Sequence, residues 1–330
     1  MSRAMYFRTA VCAAALFLSA SPGRSAVNSV PLPITEPAST VTPSLTVGLT
    51  RYSAFPLRAT RTFQTIWAER LYSNTPGLNG IGDDPNPNSL LTISYNASNG
   101  SYTLKDTANS NNMSATFSRT SRTTQGYIDT YTASSPTATD RLQIYDNVRV
   151  GASLTGAPVR LSYLSYGNWS HDDLTTGEIW DRYFLIGYPT AARDMPLTGT
   201  ASYSTAVSAN MKSEIVSDGE HVLSGSASFT ANFSQGNVST SLTLAYPGAT
   251  SFSYSGSGPI LSGNLFSATF SSTTDPYFQL GSFAGGFYGP KATEMGYVFV
   301  LERGEADPYA GATVAPPLSW IVGAVVGKRN

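Results

Sequence analysis

Gly281–Glu302, GSFAGGFYGPKATEMGYVFVLE, is the stretch whose reading decides the fold. With a period of two, Phe283, Gly285 and Phe287 share one side of an extended chain. Gly289-Pro290 then stops the strand, because proline has no N–H for a ladder and its fixed φ suits the start of a helical turn. Lys291 to Met295 is expected to form one such turn, with Pro290 at its first position. Tyr297 to Leu301 returns as a second apolar strand. Gly285, Gly286 and Gly296 leave room where a curved sheet bends or another backbone approaches. The stretch predicts a kinked, glycine-lined hairpin of the kind that closes a barrel.

Its neighbours fit that reading. Ser226–Phe233 alternates throughout, with Ala227, Phe229, Ala231 and Phe233 on one face and small polar residues on the other. Val238–Tyr246 and Leu265–Phe270 repeat the pattern, and Trp320–Val326 is a last apolar strand stopped by Gly327-Lys328-Arg329. Val159–Trp169 and the aromatic-rich Glu178–Tyr188 read as the first two strands of the same domain, whereas Gly256-Ser257-Gly258-Pro259 reads as a plain turn. Seven or eight such strands indicate a sandwich or a closed barrel. One apolar face and one Ser/Thr face per strand imply a dry interior and a wet exterior, the reverse of a membrane barrel, so the chain is read as not membrane-spanning. Upstream, LLTISYNASNGSYTL from Leu90 is a hairpin around Asn99-Gly100, and Met113–Phe117, Gly126–Tyr131 and Arg141–Val150 are further strands. Thr62–Tyr72 has helical spacing in Phe63, Ile66, Trp67, Arg70 and Leu71, although the same letters also suit a strand. The fold class expected is all-β: a β-rich domain over 49–155 followed by an eight-stranded antiparallel barrel over 156–330.

The 330 residues carry only 12% charged side chains and 12% aromatics, which favours a folded β protein over a helical or disordered one. Arg3 and Arg8 precede the apolar run Ala10–Ala20, a signal-peptide pattern with cleavage expected after Ser25. Residues 26–48 are rich in proline and threonine and read as a linker or tail. Cys12, the only cysteine, stands inside the leader, in a poor lipobox context, so lipid anchoring and a soluble exported form both stay open. Removing Arg3, Arg8 and Arg24 takes the formal charge from -1 to -4, which argues against a nucleic-acid partner.

Chemistry-bearing residues are sparse. The two histidines are His171 and His221. His171, Asp172 and Asp173, with Glu178 beyond, form the densest set of potential metal ligands, but adjacent strand residues face opposite ways, and the set is placed in a loop between two barrel strands. Asp83-Asp84 lacks the spacing of a calcium loop and is ordinary turn chemistry. Neither a nucleophile elbow nor a phosphate loop stands in the chain, so no catalytic residue is assigned; Asp172, Glu178 and Asp181 are the acids a hydrolase would have to use. Among the 19 tyrosines, Tyr166, Tyr183, Tyr188, Tyr288 and Tyr309 fall beside turns, where they can anchor a partner or cap a haem-type ligand, or simply fill half-buried strands.

The hairpin GGFYGPKATEMGYVF resembles the last hairpin of the β-barrel domain of transferrin-binding protein B, a barrel shared with factor H-binding protein and with transferrin-binding protein-like solute-binding proteins. Gly286, Phe287, Tyr288, Gly289, Pro290, Ala292, Glu294, Gly296 and Phe299 match that framework motif, and Tyr297 stands where a second glycine is usual. Tyr166-Gly167-x-Trp169 is similar to the family's first barrel strand, and Met195-Pro196 to Tyr203 to a following turn and strand. The resemblance implies a "handle" domain before the barrel and a non-enzymatic envelope binding protein, periplasmic, surface-exposed or secreted, of a Gram-negative bacterium. Its partner would be a host or environmental protein, or an outer-membrane uptake receptor, with iron or haem as the nutrient and no resident cofactor. The alternative is a structural module of the envelope without a small ligand.

Overall fold

A computed structural model describes residues 59–73, 80–84, 90–107, 113–126, 128–145, 159–213, 220–245, 251–261, 263–304 and 319–330. The expected leader, Cys12, the 26–48 linker and Tyr309 lie outside the described residues.

The first part of the chain builds two sheets. Its strands are β1 (Arg61–Gln64), β2 (Ile66–Ser73), β3 (Gly80–Asp84), β4 (Leu91–Asn96), β5 (Ser101–Asp106) and β6 (Ser114–Phe117). After these come β7 (Thr123–Gln125), β8 (Ile128–Ser134), β9 (Ala138–Tyr145), β10 (Leu164–Asp173) and β11 (Glu178–Gly187). Four form the sheet β1-β4-β5-β6, and seven form β3-β2-β11-β10-β9-β8-β7. The rest is a closed antiparallel barrel of β12 (Thr200–Ser213), β13 (Glu220–Asn232), β14 (Asn237–Ala245), β15 (Ser251–Pro259), β16 (Leu265–Ser271), β17 (Phe278–Tyr288), β18 (Glu294–Arg303) and β19 (Ser319–Arg329). β12 closes it against β19, from Tyr203↔Arg329 to Ser213↔Ser319.

The all-β class and the eight-stranded barrel are as expected, but the partition of strands differs. β10 and β11 sit in the middle of the seven-stranded sheet, and the barrel begins at β12. The barrel strand that the sequence reading lacked is β15, which contains the Gly256–Pro259 stretch read as a turn. The reason is burial. Leu164–Trp169 is buried on both faces, because this sheet is sandwiched between the barrel wall and the four-stranded sheet. A doubly buried strand loses the period-two signal and does not announce its sheet. The same cause overturns the helical reading of Thr62–Tyr72: it is β1 and β2, with Ile66 and Ala68 toward the barrel and Trp67 toward the other sheet.

Inside the barrel, rings fill the lumen. Phe266 lies 5.2 Å from Phe287, Phe283 5.2 Å from Tyr297, and Phe270 4.9 Å from Phe283. The Tyr297 hydroxyl is satisfied by Thr240 Oγ1 at 2.9 Å. Outside, β13 and β14 show exposed serines such as Ser226 and Ser241, whereas β17 to β19 turn Val298, Val300, Val322, Ala324 and Val326 outward under the handle sheet. These last strands are therefore apolar on both faces, which is why the opening stretch reads as so strongly hydrophobic. No helix among the described residues is long and apolar enough to cross a membrane.

Candidate functional site

The framework motif spans the end of β17, the Gly-Pro corner and the first part of β18. Phe287, Met295, Tyr297 and Phe299 point into the barrel, while Tyr288 and Val298 point out against the handle. A Cβ on Gly296 would come within 2.7 Å of Leu164 Cδ2, so this glycine lets the handle sheet lie directly on the barrel wall. The expected turn at Lys291 is shorter than read: Pro290–Ala292 is a single 3-10 turn, with Lys291 and Ala292 at positive φ, and β18 starts at Glu294. Gly289 has φ 70° and ψ 178°, a backbone region open essentially to glycine alone.

This corner clasps the chain that joins handle to barrel. Thr190 N donates to Phe287 O at 2.9 Å, Gly289 N donates to Tyr188 O at 2.9 Å, and Thr190 Oγ1 donates to Gly289 O at 2.6 Å. Glu294, buried, accepts the backbone N–H of Ser162 on Oε1 at 2.6 Å and of Tyr163 on Oε2 at 2.8 Å. Burial raises the Glu294 carboxyl above its usual range, and these N–H groups oppose the shift. The motif thus ties the seven-stranded sheet to the barrel; it does not close the barrel as the hairpin was expected to, since closure is the pairing of β12 with β19.

The tyrosines beside turns are mostly interior. Tyr166, Tyr183 and Tyr288 are buried between handle and barrel, and Tyr166 stacks on Tyr145 at 4.8 Å. Tyr188 is half-buried, edge-on to Phe63 at 6.2 Å with Arg61 over its ring. They serve packing and do not stand on open loops.

His171, Asp172 and Asp173 lie on β10, not in a loop between barrel strands, and the pleat separates them. His171 Nδ1 is 2.7 Å from Asp140 Oδ1, which also accepts from Trp169 Nε1 at 2.8 Å, and His171 and Asp173 line a cavity of about 410 Å³ between the two handle sheets. Asp172 faces the other way. Asp173 accepts the N–H groups of Thr175 and Thr176 and shapes the following turn. Among the described residues no three potential metal ligands converge. His221 is on β13 opposite Met211 of β12.

The feature the sequence did not mark is a cleft of about 360 Å³ where the handle sheet and the barrel diverge. Cross-strand register builds its floor. One row runs Arg141, Ser170, Asp181, Arg70 across β9, β10, β11 and β2; the next runs Thr139, Asp172, Ile179, Tyr72. Lys212 and Glu220 close it from the barrel. Arg70, almost fully buried, pairs with Asp181, reaches Glu220 Oε1 at 3.0 Å and donates to Trp320 O at 3.4 Å. Burial disfavours its charge, but Asp181 and Glu220 outweigh that and hold the guanidinium firmly protonated. Asn210 Nδ2 donates to Glu220 at 3.0 Å, and Arg141 stands 3.6 Å from it. Lys212 lies over the Tyr72 ring at 4.6 Å. The one signal in the sequence was Glu69-Arg70 inside an otherwise apolar run, since charges in a buried strand demand partners. Glu69 faces the other sheet, where Arg182 bonds Asp106 at 2.6 Å and lies 3.2 Å from Glu69.

At the barrel end nearest the cleft, Arg303 holds Asp275 with two bonds of 2.5 and 3.0 Å, and the Tyr254 hydroxyl donates to the same carboxylate at 2.6 Å. Residues 195–315, spanning β12 to β18 and the chain beyond, match the family model of the C-lobe and N-lobe β-barrels of transferrin-binding protein B. The chain has a transferrin-binding protein B-like barrel. Solved structures similar to it include a transferrin-binding protein B mutant from Haemophilus parasuis, at 15% identity over 80% of this chain and 45% of that one, with a TM-score of 0.43. Another is HpuA of Kingella denitrificans in complex with human haemoglobin, at 14% identity over 84% and 90% of the chains, TM-score 0.38. A third is transferrin-binding protein B of Neisseria meningitidis, at 15% identity over 82% and 66%, TM-score 0.36. This chain spans about half the length of the Haemophilus parasuis proteins, 45% and 54% of the two. No curated protein matches the sequence.

Proposed function

We propose that this protein is an exported, non-enzymatic binding protein of a Gram-negative envelope that captures a host or environmental protein carrying iron or haem, for delivery to an outer-membrane uptake receptor. The observation that carries the reading is the contrast between the two ends of a transferrin-binding protein B-like barrel whose lumen is filled with aromatic rings. With a packed interior, recognition falls to the surface. One barrel end is tied down by the short connections 233–236, 260–264 and 289–293. The other carries the connections 214–219, 246–250, 272–277 and 304–318, together with the handle turns 135–137 and 174–177. Val222 and Leu174, 74% and 56% exposed, lie near that end, as expected of contact residues. The relatives are named for transferrin binding, and one is seen with human haemoglobin, which supplies the partner class. Asp172 and Asp181 share the cleft, but Asp181 is locked in an ion pair with Arg70, which suits a structural or binding role better than acid catalysis.

Immobilised full-length protein, presented with human transferrin, haemoglobin and haem-loaded albumin, is expected to bind one of them saturably at micromolar or tighter affinity, and Val222→Asp to weaken that binding by about tenfold or more. Absence of saturable binding to any iron- or haem-carrying protein, serum and environmental sources included, refutes the reading and favours a purely structural envelope module.

A further inference from the structure

We propose that the cleft between handle and barrel is a binding site for a small zwitterion of the free amino-acid class. This goes beyond protein capture and does not depend on it. The cleft, about 360 Å³, is at the small end of the size range of ligand pockets and has both signs of charge on its walls. Several of those charges are already used: Glu220 takes Arg70, Asn210 and the more distant Arg141. Others are not. Among the described residues, neither Lys212 nor Asp172 has an ion-pair partner, although both line the cleft. Asp181 is 3% exposed, and its Oδ1 has no hydrogen-bond partner while its Oδ2 is held by Arg70. Arg70 Nε is likewise unpartnered. One row deeper on the same face, buried Asn168 leaves both amide atoms unpartnered.

Buried polar atoms without partners are costly, and a natural protein keeps them where something else completes them. The residual pattern selects the ligand. A simple anion would meet Asp172 and Asp181, and a simple cation would meet Lys212 and Arg141. A compact molecule carrying both an ammonium and a carboxylate suits each side, with the ammonium at Asp172, beside the Asp181 carboxylate, and the carboxylate at Lys212 and Arg141. Ile179 and the Tyr72 ring offer an apolar wall for a side chain. The site is fixed by four paired strands of one sheet, so its floor is preorganised.

The test is calorimetry of the full-length protein with the common L-amino acids, followed by the best binder's two single-charge analogues, the amine lacking the carboxylate and the acid lacking the ammonium. One amino acid is expected to bind saturably at millimolar affinity or tighter, with each analogue weaker by about tenfold or more. Asp172→Asn and Lys212→Met, checked for unchanged melting temperature, are expected to lose about tenfold each. No saturable amino acid overturns the proposal, and so does an analogue that binds as well as the parent. If either variant fails to fold, the analogue comparison on the unaltered protein still decides. No protein partner enters the assay, so its failure and the failure of protein capture are separately visible.

Discussion

Replacing Gly289 by alanine tests whether the Gly-Pro corner clasps handle to barrel or merely turns the chain. Two costs add at this position. The backbone, at φ 70° and ψ 178°, lies where an L-residue pays roughly 1–3 kcal/mol. The new Cβ would also fall 2.6 Å from Thr293 Oγ1 and 2.7 Å from Tyr163 Cγ, and overpacking of this kind costs a further ~1–3 kcal/mol. Tyr163 belongs to the segment whose N–H is held by Glu294, so relief of the clash pulls on the handle. A control lies at the same end of the barrel. Gly236 also has positive φ, 64°, but nothing lies within 4 Å of its added Cβ, so Gly236→Ala should cost only the backbone term of about 1–2 kcal/mol. Urea unfolding and thermal melts of both variants give the comparison. A difference of about 2 kcal/mol corresponds to roughly 4–8 °C for a domain of this size. If Gly289→Ala melts no lower than Gly236→Ala, the clasp argument fails.

Other perturbations follow from the same geometry. Glu294→Gln leaves one of the two N–H groups of Ser162 and Tyr163 facing an amide donor, and is expected to lower stability by about 1.5–3 kcal/mol in urea unfolding, whereas an unchanged midpoint would remove Glu294 from the clasp. Glu69 has its carboxyl pushed up to about 7, first by burial, with Arg182 opposing and Asp106 adding to the rise. A raised acid binds its proton more tightly folded than unfolded. Its stabilising effect is therefore full below pH ~4.5 and is lost as pH rises through about 7, a swing of up to ~3 kcal/mol. Glu69→Gln should flatten that slope in unfolding titrations between pH 5 and pH 8, and an identical slope in both proteins counts against it. Asp275 is the opposite case. Burial raises its carboxyl, but the Arg303 and Tyr254 hydrogen bonds together outweigh that and hold it below the usual range. Its contribution is present above pH ~3.8 and lost as pH falls further, and Arg303→Met should shift acid unfolding to higher pH; a superimposable acid transition would refute the role.

Much of the fold was legible because local chemistry and burial agreed. β13, β14 and β16 have one face in the barrel and the other in water, so Phe229, Leu242 and Phe266 alternate with serine and threonine, and the alternation could be read directly. The reading failed where neighbours override the period. Ile66 and Trp67 are adjacent yet both buried, one against the barrel and one against the other sheet, and that mimics a helix. Leu164–Trp169 matched a barrel strand in sequence but joins the handle, because pairing partners are chosen across long separations. In β15, Gly256 and Gly258 looked like a turn. They are strand residues under close neighbours: a Cβ on Gly256 would reach Phe283 at 2.6 Å, and one on Gly258 would reach Ala268 at 2.6 Å.

The sequence by itself determined the all-β class, the barrel strands with a wet outer face, and the corner whose Gly289-Pro290 admits few other residues, since these depend on short-range sterics and on the period of burial. Only the tertiary structure decided that this corner ties the seven-stranded sheet to the barrel, that His171, Asp172 and Asp173 stand on a strand of that sheet, and that Arg70, Asp181, Lys212 and Glu220 share one cleft. Those four come from β2, β11, β12 and β13, and it is strand register and the docking of sheet on barrel, set by contacts far apart in the chain, that bring their charges together.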